Sequence, residues 1–195
     1  MLGFGSPGSG FRPGGILCFG DSLTEGFGVS RDESYPSLLQ QRLRDHGYAH
    51  QVINAGVSGE TTGDALERLG RMLRFQSDIV IVALGANDAF MGVPCTIMAS
   101  NLAEIIVAFQ NAGSRVILAG LSIPGIFGVR DSQALSDVFP QLAKRYNIAL
   151  IADFLAGVPG QRRYNLVDGF HPNGAGYRLI MENVWTTLQP CLPSA

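Results

Sequence analysis

The sequence alternates short, wholly apolar segments with longer segments of helical periodicity, and this alternation restricts the fold more than any other feature. The clearest apolar segment follows Asp78 and reads Ile-Val-Ile-Val-Ala-Leu up to Leu84. A strand with apolar residues at consecutive positions is buried on both faces, which is typical of a parallel sheet covered by helices on both sides. Further strands of this kind are predicted at residues 16–19, 51–54, 115–121 and 148–151.

Helical patterns occupy the segments between these strands. The first helix begins at Ser34, which serves as its cap, carries Pro36 in its first turn and ends near Gly47. The remaining helices are predicted at residues 62–75, 97–111, 132–146 and 172–188, and Pro140 is expected to kink or split the helix at 132–146. The whole pattern predicts an α/β protein, a three-layer α/β/α sandwich around a central parallel sheet of about five strands, flavodoxin-like in layout.

Length and composition exclude several classes of protein. The chain has 195 residues, of which 46% are hydrophobic and 15% are charged, as expected for one globular domain. Its formal net charge is −2 and it carries no basic run, which argues against a nucleic-acid partner. No apolar stretch reaches transmembrane length, so stable membrane insertion is not expected. The cysteines at positions 18, 95 and 191 are too few and too scattered for a disulfide framework or a zinc site.

We expect two regions along the chain. Residues 1–15 are rich in Gly, Pro and Ser, and we interpret them as a flexible N-terminal segment or a remnant of expression or signal cleavage. Residues 16–195 are expected to form a single soluble domain. The chain shows no signal peptide, so the compartment stays open between the cytoplasm and, after removal of a signal, the periplasm or the exterior. The oligomeric state stays open as well.

Polar residues follow the predicted strands at their carboxyl ends. Ser22 follows the first strand, Gly56–Gly59 follow the second and Asn87 follows the third, and ligands bind at this edge of open parallel sheets. Asp168 and His171 stand three residues apart on a turn before the last helix. A serine is a poor nucleophile without a base, and a histidine needs a partner that fixes its tautomer. Together these residues are the parts of a Ser–His–Asp site, although their order alone proves nothing.

Each segment also has a simpler interpretation when it is taken alone. Gly20-Asp21-Ser22 is a common strand-to-helix turn, and the loops at Gly59 and Asn87 are common turns or caps. In the functional interpretation, the Gly59 N–H approaches a developing oxyanion closely and the Asn87 side-chain amide donates to the same oxyanion. The sequence lacks a Gly-x-Gly-x-x-Gly fingerprint and a phosphate loop, and Thr24 stands where a nucleophile elbow requires glycine.

Four short blocks are far more specific in combination than any one of them. Gly-Asp-Ser-Leu begins at Gly20, Ser-Gly-Glu-Thr at Ser58, Gly-x-Asn-Asp at Gly85 and Asp-x-x-His at Asp168. In this order, and spread over nearly the whole chain, they resemble the SGNH, or GDSL, hydrolase family. The segment Asn-Ala-Gly-Val-Ser-Gly from Asn54 is most similar to the bacterial arylesterase, lysophospholipase and acyl-thioesterase I branch of that family.

The resemblance implies a role for each candidate residue. Ser22 is then the nucleophile, Asp168 and His171 complete the catalytic triad, and the oxyanion hole consists of the Ser22 N–H, the Gly59 N–H and the Asn87 amide. Residues 16–195 are then a single SGNH hydrolase domain that cleaves acyl esters through an acyl-enzyme, with thioesterase or lysophospholipase activity as a further expectation. The partner is then a small-molecule acyl ester, and no metal or organic cofactor is required.

One loop departs from the pattern of that branch. An arginine often follows Gly-x-Asn-Asp there, whereas this chain continues Ala-Phe-Met-Gly from Ala89, which makes the rim of the site more apolar. This loop and the one after the fourth strand carry apolar residues that a bare loop does not need, so they are expected to border the acyl chain. The candidate substrate-binding residues are Phe90, Met91, Ile123, Ile126 and Phe127, and core packing is an equal alternative for Ile123. Two short loops make a short groove, so short- to medium-chain esters, including aryl esters, are expected as substrates.

Two other functions stay open at this point. The first is a nucleotide-binding module of flavodoxin-like fold, which the missing phosphate loop disfavours. The second is a non-catalytic acyl- or carbohydrate-binding protein on the hydrolase fold, which the intact catalytic blocks disfavour. Labelling with a fluorophosphonate separates them from an esterase, because only an activated serine reacts.

Overall fold

The computed structural model describes residues 15–129 and 131–193, and for Ile126 it describes the backbone only. Residues 1–14 of the predicted N-terminal segment lie outside the described residues. The strands are β1 (Gly15–Gly20), β2 (Gln51–Gly56), β3 (Ile79–Ala83), β4 (Arg115–Ala119) and β5 (Ala149–Ile151). They form one parallel sheet of five strands in the order β2-β1-β3-β4-β5. This is the flavodoxin-like order, so the predicted α/β fold is confirmed.

Helices cover the sheet in two layers. They are α1 (Ser22–Glu25), α2 (Tyr35–Asp45), α3 (Thr62–Met72), α4 (Ala86–Met91), α5 (Cys95–Asn111), α6 (Ser132–Tyr146) and α7 (Gly174–Leu188). Helix α2 packs against α7, while α5 packs between α3 and α6. Short 3₁₀ turns cover residues 31–33, 73–75, 125–127 and 189–191. Among the described helices, none is long and apolar enough to cross a membrane.

The central strands explain why the sequence is apolar at consecutive positions. Every residue of β3 is buried, and in β1 only Gly15 is partly exposed, because both strands lie inside the sheet under helices on both faces. Edge strand β2 is half-buried or exposed along its whole length. Cys18 of β1 is fully buried, and burial raises the pKa of its thiol to about 12, as expected for a small core hydrophobe rather than a reactive cysteine.

Three helical details differ from the sequence-based predictions. Helix α6 runs from Ser132 to Tyr146 without a break, so the expected split at Pro140 is wrong. Pro140 is exposed, where water can solvate the carbonyl that its missing N–H leaves unpaired. The last helix begins after Asn173, whose side chain accepts hydrogen bonds from the backbone of Ala175 and Gly176. Helices α1 and α4 were not predicted, because they are too short to show a period.

Candidate active site

Ser22 occupies the first turn of α1, directly after the carboxyl end of β1. Asp21 caps this helix, and its Oδ1 accepts a hydrogen bond of 3.0 Å from the Leu23 N–H. Ser22 itself is 7% exposed, so only a small part of it reaches the surface, and it lies in a short helix. Its backbone carbonyl accepts hydrogen bonds from the Phe27 N–H and the Tyr177 hydroxyl. The serine is therefore held by backbone contacts that do not involve its side chain.

The Ser22 hydroxyl lies within hydrogen-bond distance of His171, and His171 in turn contacts Asp168. The distance from Ser22 Oγ to His171 Nε2 is 3.1 Å, and that from His171 Nδ1 to Asp168 Oδ2 is 2.6 Å. The other carboxylate oxygen of Asp168 accepts the backbone N–H groups of Phe170 and His171 at 3.0 and 2.9 Å. Partial burial alone would raise the pKa of Asp168, but these hydrogen bonds outweigh burial and lower the pKa below its ordinary value.

Hydrogen bonds and ring contacts hold the loop before α7 in place. Asn165 Nδ2 donates to the Phe170 carbonyl at 2.9 Å, and the Leu166 N–H donates to the His171 carbonyl at 2.8 Å. Two aromatic rings flank the imidazole, with ring centroids 4.7 Å away for Phe27 and 5.5 Å away for Phe170. Backbone bonds and aromatic contacts together fix the position of the His171 ring.

The loop after β2 carries Gly59 next to this site. Gly59 has φ of +83°, a left-handed conformation that residues with a Cβ rarely adopt. Among the described residues, no acceptor takes a hydrogen bond from the Gly59 N–H or the Ser22 N–H, so both remain free for a bound group. The loop is tied to α1 because the Ser58 N–H and hydroxyl both donate to the Glu25 carboxylate.

Asn87 approaches the same place from the first turn of α4. Its side-chain Nδ2 donates to the Glu60 carbonyl at 2.8 Å, which uses one of its two N–H groups and leaves the other for a ligand. The neighbouring Asp88 is buried, and its carboxylate accepts the Thr62 N–H at 2.8 Å and the Thr62 hydroxyl at 2.6 Å. Glu60 and Asp88 thus fasten the loop after β3 to the loop after β2.

Arg68 of α3 connects the loop after β2 with the carboxyl ends of β1 and β2. Its guanidinium bonds the Glu60 carboxylate at 2.6 and 2.8 Å, the Gly20 carbonyl at 3.2 Å and the Ala55 carbonyl at 2.9 Å. It also lies 4.4 Å from the centre of the Phe19 ring, a cation–π contact. The planar, five-donor guanidinium suits this task, since one side chain bonds the ends of two strands and one loop.

Asp21 has an unusual environment for a residue adjacent to the candidate nucleophile. It is fully buried, and its Oδ2 has no hydrogen-bond partner within the described part of the chain. Burial raises the pKa of the Asp21 carboxyl to about 7, against the opposing effect of its backbone hydrogen bonds, and the nearby charges of Asp88 and Glu60 raise it further. In the folded chain the protonated form of Asp21 therefore predominates below about pH 7.

We expect the stability of the protein to respond to Asp21 as the pH rises. Because its pKa is higher in the folded chain than in the unfolded chain, its contribution is full below about pH 4 and is lost as the pH rises through about 7. Asp21→Asn removes this titration. Measured by urea unfolding, the free energy of unfolding of the variant relative to wild type should rise by about 1–3 kcal/mol between pH 5 and pH 8. Asp32→Asn, at an exposed carboxyl, is the control, and a difference that stays constant with pH would contradict the expectation.

The candidate substrate-binding residues differ in burial and position. Phe90 and Met91 are exposed, as predicted, but they lie on the short helix α4 and not on a loop. Phe127 is half-buried. Phe90 and Phe127 contact the buried Phe170 ring from two sides, with centroid distances of 4.9 and 5.4 Å. The prediction that Ile123 binds substrate is corrected, because this residue is 1% exposed within the core and cannot line a groove. The alternative of core packing holds for it. The side chain of Ile126 lies outside the described residues.

Sequence reasoning assigned no role to two residues that the structure places at the site. Arg68 lies on the buried face of α3, since Ala65 is three residues before it and Met72 four residues after it, and a cation within an apolar stripe was the available signal. Phe27 lies against the imidazole, and the available signal was a large aromatic side chain between two glycines just after the serine.

Comparison with known proteins agrees with this fold and identifies the family. The GDSL-like Lipase/Acylhydrolase family matches residues 18–179. Esterase TesA of Pseudomonas aeruginosa is 35% identical, with 91% of this chain and 89% of TesA covered, and an arylesterase of Vibrio mimicus is 35% identical, with 87% and 85% covered. The thioesterase 1/protease 1/lysophospholipase L1 of Escherichia coli is 30% identical, with 90% and 83% covered. A crystal structure of TesA superposes with a TM-score of 0.88 at 35% identity, covering 91% of this chain and 99% of that one.

The fold and these similarities define the class of protein as a carboxylic ester hydrolase with an α/β core. The chain belongs to the GDSL-like lipase/acylhydrolase family, as its sequence blocks predicted. The two alternatives, a nucleotide-binding module and a non-catalytic binding protein on the same fold, are not favoured by these relatives.

Proposed function

We propose that this protein hydrolyses short- to medium-chain acyl esters, including aryl esters, through an acyl-enzyme on Ser22. The single observation that carries the proposal is the continuous hydrogen-bonded series from Ser22 Oγ through the His171 ring to Asp168, at the carboxyl edge of the sheet. Nucleophile, base and orienting carboxylate are each within the distances that acyl transfer by a serine requires.

Acylation begins when Ser22 Oγ attacks the ester carbonyl carbon and passes its proton to His171 Nε2. The carbonyl oxygen becomes an oxyanion, which the Ser22 N–H, the Gly59 N–H and the free N–H of Asn87 stabilise. When the tetrahedral intermediate collapses, the bond to the alcohol oxygen breaks and His171 returns the proton to that oxygen. Water then attacks the acyl-enzyme with the same base and acid steps, which releases the carboxylic acid and restores Ser22.

Asp168 keeps His171 ready for these proton transfers. Its lowered pKa means that it remains a carboxylate at neutral pH, and its Oδ2 accepts the Nδ1–H of the ring. That bond directs the unprotonated Nε2 towards Ser22 and stabilises the imidazolium that forms during the reaction. The backbone bonds to Asp168 Oδ1 hold the carboxylate in place while the charge on the ring changes.

The acyl chain is proposed to lie in a groove between residues 89–95 on one side and residues 128–129, 131 and 134–135 on the other. Phe90 and Met91 supply its exposed apolar surface, and Phe127 adjoins it through the shared contact with Phe170. Each buried methylene contributes roughly 0.8 kcal/mol, so affinity increases with chain length until the groove ends. Thioesters and lysophospholipids pass through the same acyl-enzyme, and they are secondary substrates in this proposal.

A chain-length series tests where the acyl group lies. With p-nitrophenyl esters from acetyl to palmitoyl, we expect the highest kcat/KM on short to medium chains. Phe127→Ala removes one of the aromatic walls of the groove, so kcat/KM should depend less on chain length. For the best wild-type substrate, kcat/KM should fall about three- to tenfold. A wild-type optimum on palmitoyl esters, or an unchanged profile in Phe127→Ala, would show that the acyl chain lies elsewhere.

A further inference from the structure

Phe27 lies directly on the candidate general base and is open to solvent. Its ring centroid is 4.7 Å from that of His171, with the two planes tilted by 45°. Phe27 is 47% exposed, so the contact with the imidazole covers only part of its ring. One face of the ring therefore contacts the imidazole while another part remains available to a bound molecule.

The backbone around Phe27 holds the ring in this position. The Phe27 N–H donates to the Ser22 carbonyl at 3.1 Å, so the aromatic residue is tied to the candidate nucleophile. Gly28 follows with φ of +77°, and a Cβ there would lie 2.3 Å from a methyl carbon of Leu166. The positive φ favours glycine at this turn, which places Phe27 beside the loop that carries Leu166 and His171.

Phe27 lines a groove distinct from the one proposed for the acyl chain. The groove beside Phe27 is formed by Glu25, Gly26, Gly28, Val29, Arg31 and Ser58. It shares none of its lining residues with the groove proposed for the acyl chain. Its wall is fixed, because Ser58 donates through both its N–H and its hydroxyl to the Glu25 carboxylate.

The chemistry of acyl transfer decides which half of an ester fits which groove. The alcohol oxygen receives its proton from His171 Nε2, so it must come within hydrogen-bond distance of that atom during collapse of the intermediate. The alcohol group consequently extends along the surface next to the imidazole, and Phe27 is an exposed side chain that contacts this ring. The acyl carbon chain is a different substituent of the carbonyl carbon, so it extends away from the alcohol oxygen.

We propose that the groove beside Phe27 is the binding site for the alcohol half of the ester, and that the Phe27 ring selects aromatic alcohols, that is, phenols. Offset or edge-to-face contact between two aromatic rings favours such leaving groups over alkyl groups beyond the area that each buries. The assignment rests on the proposed function, since it takes Ser22 as the nucleophile and His171 as the acid that protonates the leaving alcohol.

Phenyl acetate and ethyl acetate provide the test, because both esters give the same acetyl-enzyme and differ only in the alcohol. In Phe27→Leu, which keeps an apolar side chain but loses the ring, we expect the ratio of kcat/KM for phenyl acetate to kcat/KM for ethyl acetate to fall about tenfold. Comparing the ratio with that of wild type removes the intrinsic difference between the two leaving groups. Phe27→Tyr keeps the ring and should keep the wild-type ratio.

Phe75→Leu is the matched control, since Phe75 is also about half exposed, at 48%, but lies beyond the end of α3 and away from the site. Its ratio should equal that of wild type. An equal loss on both esters in Phe27→Leu would mean that the ring only positions or shields His171, and an unchanged ratio would mean that the alcohol lies elsewhere. Either result overturns the assignment, as does a tenfold fall in Phe27→Tyr. Failure of the proposed function is seen separately, as activity on both esters that survives Ser22→Ala.

Discussion

Replacing Ser22 with alanine should reduce kcat for ester hydrolysis about 10⁴-fold or more, because loss of one member of a serine triad removes the acyl-enzyme route. The Ser22 hydroxyl is 3.1 Å from His171 Nε2, and His171 is oriented by Asp168, so no other group is needed to activate it. The measurement is steady-state hydrolysis of p-nitrophenyl acetate by the purified variant.

The fold should survive this substitution. The contacts that hold residue 22 involve its backbone carbonyl, which accepts from the Phe27 N–H and the Tyr177 hydroxyl and is unchanged in alanine. Circular dichroism and the midpoint of urea unfolding should therefore match those of wild type. Ser100→Ala, at an exposed serine of α5, is the matched control and should retain full activity. Substantial residual activity in Ser22→Ala would mean that a different residue is the nucleophile.

Replacing Asn87 with alanine should lower kcat on the order of 10²–10³-fold with little change in KM. The oxyanion exists in the transition state and not in the ground state, so a donor that serves it contributes to kcat rather than to substrate binding. The amide of Asn87 donates to the Glu60 carbonyl with one N–H, which leaves the other for the proposed oxyanion. Steady-state kinetics on a single short ester measures both parameters.

A structural effect of this substitution needs its own control, since it also removes the hydrogen bond to Glu60. Asn183 provides the match, because its half-buried amide donates to the carbonyls of Phe154 and Ala156 at 3.2 and 3.3 Å, away from the site. Asn183→Ala should lower the free energy of unfolding by about 1 kcal/mol, as is also expected for Asn87→Ala, but should keep kcat. A change confined to KM in Asn87→Ala would indicate contact with the substrate instead of the oxyanion.

The sheet and the candidate site could be predicted from the sequence for one physical reason. Strands buried on both faces must be continuously apolar, as Ile79–Ala83 is, and polar residues just after such strands are brought to one edge by parallel pairing. Ser22, Gly59 and Asn87 follow three neighbouring strands, so topology alone places them together. The short spacing of Asp168 and His171 places both on one turn, within reach of that edge.

The details that escaped prediction depend on tertiary packing rather than on local pattern. The sequence pattern of an apolar residue after a strand is the same whether that residue lines a groove or packs in the core. Ile123 packs in the core. The positions of Arg68 and Phe27 depend on contacts with segments distant in sequence. Arg68 donates to carbonyls at the ends of β1 and β2, and Phe27 contacts His171. Neither contact follows from a period of two or 3.6 residues.

The central claim is that His171 and Asp168 make Ser22 an activated nucleophile. Its most direct test is reaction of the purified protein with a fluorophosphonate, followed by mass spectrometry of the digested chain. We expect one adduct per chain, on the peptide that contains Ser22, with none in Ser22→Ala and strongly slowed labelling in His171→Ala. An adduct on another serine, or labelling that persists at the wild-type rate in His171→Ala, would contradict the account.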